Sequence, residues 1–125
     1  MKSPNGEFGV VRGAFHEIRM GSPKFASLDV LGSECSLAQR SFGETIAFSG
    51  DSQYLAVEEL TKWSPPETRV VVFHLKTNTE SIAHVQAPGF IKKLEWLTDC
   101  KLKIQAWSDI SGDTEHAWER NADSN

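Results

Sequence analysis

The sequence predicts an all-β domain: an antiparallel meander forming a small sandwich, an open barrel or a curved sheet, with at most one short helix. Three observations carry this expectation. From about residue 44 onward, β-branched and aromatic residues come in short runs separated by Gly, Pro, Asn, Asp and Ser, which is the punctuation of strands and turns. No segment sustains the apolar period of roughly 3.6 residues that marks an amphipathic helix. The chain has 125 residues, 39% of them hydrophobic, which suits one domain with an ordinary core. Residues 1–125 are therefore read as a single all-β domain with an acidic C-terminal segment at 109–125.

The elements follow in order. Residues 8–20 read as a strand interrupted by Gly9 and Gly13, which suggests a bulge or bend, and Gly21, Ser22 and Pro23 end it. Residues 24–31 are its expected hairpin partner. Residues 33–40 are the one place where a helical turn or two is expected, closed by Gly43. Residues 45–49 form a short apolar run, Gly50, Asp51 and Ser52 supply turn chemistry, and 53–60 resume as a strand. Trp63, Ser64, Pro65 and Pro66 read as a loop, because two prolines remove consecutive backbone donors.

Residues 69–76 place Val71, Phe73 and Leu75 on one face and Val70, Val72 and His74 on the other. Such a run, apolar on nearly both sides, is the pattern of a central strand. Thr77, Asn78 and Thr79 turn the chain, and 81–86 return as a hairpin partner that Ala87, Pro88 and Gly89 end. Residues 90–97 and 101–107 form a second hairpin around Thr98, Asp99 and Cys100. In its last strand Leu102, Ile104 and Ala106 alternate with Lys101, Lys103, Gln105 and Trp107, so a half-buried strand carries Trp107 on its wet face.

The segment Ile46-Ala47-Phe48-Ser49-Gly50-Asp51-Ser52-Gln53-Tyr54-Leu55-Ala56-Val57 resembles the opening of a WD40-like β-propeller blade, with 69–77 similar to a third strand. About 48 residues later, Leu94-Glu95-Trp96-Leu97-Thr98-Asp99 is similar to the start of a second blade, with Trp96 in the place of Phe48 and Asp99 in that of Asp51. The resemblance spans residues 46–108. A closed propeller needs roughly four or more blades, so a sandwich, barrel or curved sheet is the expected form, and a propeller-like, oligomerising scaffold is the alternative.

Charge narrows the function classes. Seventeen acidic against thirteen basic residues give a net charge of −4, which disfavours direct nucleic-acid binding by phosphate neutralisation. Residues 1–108 hold twelve of each sign, so the excess lies in Asp109, Asp113, Glu115, Glu119 and Asp123 against Arg120. No apolar run approaches the roughly 18 to 20 residues of a membrane helix, and residues 1–10 lack a signal-peptide pattern, so a cytoplasmic chain with no membrane partner is expected. Cys35 and Cys100, 65 residues apart, read as two reduced thiols.

No catalytic constellation is present. His16-Glu17-Ile18-Arg19-Met20 begins like H-E-x-x-H but puts Met20 where the second His must stand. No Walker loop, G-x-S-x-G or dinucleotide fingerprint occurs. Glu58 and Glu59 point to opposite faces of a strand and so cannot share a proton. His74 and His84 would meet only if the hairpin register allowed. The expectation is a non-enzymatic chain with no cofactor and no metal.

Binding is the remaining signal. Trp63 follows Glu58 and Glu59 in a proline loop, Trp107 lies on a polar strand face, and Trp118 sits among the terminal acids. Trp beside carboxylates suits an interface for a basic partner, since Trp supplies buried area and acids supply steering. The candidate partner-binding residues are Glu58, Glu59, Trp63, Trp107, Asp109, Asp113, Glu115 and Trp118. In size, charge and lack of catalytic motif the chain resembles small bacterial toxin-immunity proteins of the contact-dependent inhibition type. That resemblance implies a cognate protein partner, a basic toxin domain such as a nuclease, neutralised by occlusion of its active surface. A small ligand-binding β-barrel is the second alternative.

Overall fold

A computed structural model describes residues 1–17, 24–35, 37–63 and 65–120. Eleven strands are formed among them: β1 (Gly9–Arg12), β2 (His16–Glu17), β3 (Lys24–Ala26), β4 (Leu28–Leu31), β5 (Ser41–Phe48), β6 (Tyr54–Trp63), β7 (Pro66–His74), β8 (Thr79–Gln86), β9 (Phe90–Thr98), β10 (Lys101–Ser108) and β11 (Gly112–Glu119). They make three antiparallel sheets, ordered β1-β4, β2-β3-β5-β6-β7-β8 and β11-β10-β9, and none closes into a barrel. The all-β expectation holds.

No helix forms among the described residues, so the helical turn expected within 33–40 is replaced by one tight turn in which Arg40 N donates to Leu37 O. Side chains draw the segment's start elsewhere: Ser33 Oγ donates to Leu75 O at 2.9 Å, and Asn78 Oδ1 accepts from Glu34 N at 2.9 Å. The expected N-terminal hairpin forms in two tiers. β1 pairs with β4 in one sheet and β2 with β3 in another. The break falls at Gly13, whose N donates to Ser27 O at 3.1 Å and where a Cβ would run into the Ser27 hydroxyl. The expected turn at Gly21, Ser22 and Pro23 lies outside the described residues. The proline loop is tighter than expected, because β6 continues to Trp63 and pairs it with Pro66. Pro66 is the first residue of its strand, a place where a missing ladder donor is tolerated.

The centre of the six-stranded sheet is covered on both faces, which is why residues 54–57 of β6 and 70–73 of β7 are apolar on both sides. On one face Leu55, Val57, Val71 and Phe73 pack with Phe8, Val10, Leu28, Val30 and Leu37. On the other Tyr54, Ala56, Val70 and Val72 pack with Ile91, Leu94, Leu102, Ile104 and Ala106 of the three-stranded sheet. The inward face of β10 is the one its alternation indicated.

Two successive units correspond row for row. Leu55 pairs with Phe48 on one side and Phe73 on the other, and this row packs toward the β1-β4 sheet. Leu102 pairs with Trp96 and Trp118, and that row packs toward the six-stranded sheet. The starts of the two units also touch: Trp96 Nε1 donates to Ala47 O, and Asp51 N donates to Asp99 Oδ1, both at 3.1 Å.

Because β6 to β11 run up and down, the connections at 63–66, 87–89 and 109–111 gather at one end of the molecule. Gly89 holds them together. Its N donates to Pro66 O at 3.0 Å, its O accepts from Thr68 Oγ1 at 2.9 Å, and a Cβ on it would collide with the Trp107 carbonyl. With φ at +137° as well, Gly89→Ala is expected to destabilise by more than about 1 kcal/mol. A urea midpoint lowered at unchanged slope is the measurement, and an unshifted midpoint would contradict the assignment.

Candidate partner-binding surface

The gathered end brings together four of the eight residues singled out from sequence. Trp63 is 50% exposed at the β6–β7 connection and Trp107 37% exposed at the end of β10. Asp109 stands exposed in the β10–β11 turn and Asp113 near the start of β11. The turn is shaped by Ser108, whose Oγ accepts from Ser111 N at 3.0 Å. One residue that the sequence reading missed completes the patch: Ile110, 83% exposed at the turn tip. An isoleucine inside an Asp-Ile-Ser-Gly turn was the available signal. Trp107 is backed by the buried Phe90, whose ring lies nearly parallel to its own at 6.4 Å. An open groove of about 490 Å³ runs along this patch, lined by Phe90, Ile91, Lys92, Trp107 and Asp113.

Three of the five C-terminal acids, Asp113, Glu115 and Glu119, lie on a strand, and Asp123 lies outside the described residues. Residues 112–119 form β11, paired with β10 in unbroken register, and each acid on its outer face meets a lysine. Asp113 meets Lys92 at 3.1 Å, Glu115 meets Lys103 at 3.3 Å and Glu119 meets Lys101 at 3.8 Å. This face is a mosaic of both signs, and Asp109 lies outside it.

Trp118 is separated from the patch. It sits at the far end of β11, partly buried, edge-on to Trp96 at 6.2 Å.

Glu58 and Glu59 are 2% and 5% exposed, so neither belongs to a partner surface as expected from sequence. The reason is that β6 is covered on both faces, which hides whatever side chain either face carries. The two do point to opposite faces. Glu58 lies opposite the irregular stretch of β5 between Phe42 and Ile46. Its Oε2 accepts from Ile91 N at 2.7 Å, while Thr45 Oγ1 donates to Ile91 O at 3.2 Å. The backbone of Ile91, on the free edge of β9, is thus satisfied by side chains of the neighbouring sheet. Burial pushes the Glu58 carboxyl up to about 7, against the opposing pull of the Ile91 N–H.

Glu59 accepts from Arg40 Nε and Nη2 at 2.8 and 2.9 Å and from Arg69 Nε at 2.7 Å. Burial raises its pKa, and the two guanidinium groups more than offset this, so the net shift is downward. Arg40 also reaches Glu80 at 2.9 Å and lies over the rings of Phe42 and Phe73.

His84 does not meet His74, since β7 and β8 pair His74 with Thr79 and Val70 with His84. His84 instead stacks on His116 of β11 at 3.9 Å. Cys35 and Cys100 are both free thiols, the first partly buried and the second exposed. Among the described residues no group of three or more His, Cys, Asp or Glu is placed to hold a metal ion, and no helix is long and apolar enough to cross a membrane. Comparison with family models, curated proteins and solved structures gives no match to this chain.

Proposed function

We propose that the chain is a non-enzymatic binding protein that acts in the cytoplasm as an immunity-type inhibitor, covering the active surface of a basic toxin domain. The observation that supports this most is the gathering of exposed Trp63, Trp107 and Ile110 with Asp109 and Asp113 at one end of the molecule. Large apolar groups rimmed by carboxylates suit an interface whose centre supplies desolvated area and whose edge supplies attraction. A second reading, a propeller-like oligomerising scaffold, is favoured by the row-for-row correspondence of the two strand units.

The test is affinity purification followed by kinetics on the captured protein. A stoichiometric basic partner is expected, and a discrete homo-oligomer without one supports the scaffold instead. Trp107→Ala should leave the melting temperature nearly unchanged while weakening binding by at least about 2 kcal/mol. A large loss of stability with unchanged affinity would move Trp107 from the interface to the fold. Charge reversal at Asp109, Asp113 and Glu115 should slow association and flatten its salt dependence. The effect should be greatest at Asp109, because the other two already face lysines.

A further inference from the structure

In the first strand unit four consecutive strands pair in order, β5-β6-β7-β8, whereas the second is β9-β10-β11. Phe48, Leu55 and Phe73 form a row matched by Trp96, Leu102 and Trp118, so β11 occupies the place of β7. β7 carries β8 on its outer edge. The corresponding edge of β11 pairs with no strand among the described residues. That edge is 8 residues long, regular in register and without proline, so it lacks the devices that usually blunt an open edge, apart from charge.

The charge is specific. On the outer face β11 presents Asp113, Glu115 and Glu119, each at least 63% exposed and each held from the β10 side by a single lysine. A second copy of β11 fits poorly here. Antiparallel pairing of two such edges about any centre from residue 114 to 117, with outer faces together, sets a carboxylate opposite a carboxylate. A strand with basic side chains at alternate positions fits well, since it continues the ladder as lysine, carboxylate, base.

Resting on the basic partner proposed above, we infer that the edge of β11 is a strand-addition site that takes an extended segment of that partner with Lys or Arg at every second residue.

The probes are peptides the length of β11: one alternating Lys and Val, one alternating Glu and Val, and Lys-Val peptides N-methylated at alternate residues in each phase. Binding is followed by titration at low salt and by amide hydrogen exchange along β11. The Lys-Val peptide is expected to bind about tenfold more tightly than the Glu-Val peptide and to slow exchange in β11, with one N-methylated phase losing binding. Glu115→Lys, at an exposed position, should abolish the preference. If both N-methylated phases bind as well as their parent, charge alone is at work. The strand-addition site is then overturned while the basic-partner reading stands. If Glu-Val binds as well as Lys-Val, that reading fails at this surface. Failure of every peptide to bind, or a dimer with β11 already protected, overturns the proposal outright.

Discussion

Glu59→Gln is expected to lower stability by about 2 to 3 kcal/mol at neutral pH, below the full value for breaking a buried ion pair because its partners are partly solvated. The substitution removes a carboxylate that accepts three charge-assisted hydrogen bonds and leaves Arg40 and Arg69 facing a neutral amide. Side-chain exposure of 17% and 32% lets water recover part of the loss. Arg40 also keeps Glu80. Urea unfolding measures the effect, and Glu80→Gln is the control: with Glu80 40% exposed, its loss should cost well under about 1 kcal/mol. Equal losses in the two variants would contradict the central role of Glu59. Since the Glu59 pKa is lowered by folding, its contribution is present above the ordinary carboxylate value and fades as pH falls through the folded one.

Glu58 has the opposite sign. Its carboxyl, ordinarily near 4.5, titrates at about 7 in the folded chain, so the native state holds a proton that the unfolded chain has released. The resulting stability is fully present below 4.5 and is lost as pH rises through about 7. At about 1.36 kcal/mol per pH unit, the ionised group costs the fold about 3 kcal/mol above that range. Glu58→Gln keeps an oxygen to accept from Ile91 N and removes the ionisation. The variant is expected to match the wild type near pH 4.5, to exceed it by up to about 3 kcal/mol at pH 8, and to lose the slope between. Urea unfolding across this range decides it. An unchanged slope in the variant would assign the proton to another group.

Much of the fold was legible because strands and turns are written locally. Val70 to Phe73 announced a central strand, and Leu102, Ile104 and Ala106 announced which face of β10 is buried, since alternate side chains of a strand go to opposite sides. The turn expected at Thr77, Asn78 and Thr79 falls slightly earlier, at 75–78, with Thr79 already pairing His74 as the first residue of β8. The candidate surface was half legible. Trp107 could be placed on an exposed face by counting from Leu102. Trp63, Asp109 and Asp113 were recognisable singly, while their meeting at one end depends on the up-and-down order of six strands.

By itself, then, the sequence determined that the chain is all-β, where its main turns fall and which face of its regular strands turns inward. The tertiary structure alone decided that both faces of β6 are covered, which buries Glu58 and Glu59 in environments that drive their acidities apart. It also decided that Asp113, Glu115 and Glu119 stand on a strand and face lysines. The physical reason is range: side-chain alternation and turn propensity act between neighbours along the chain, whereas burial and charge compensation depend on which sheet arrives on the other side.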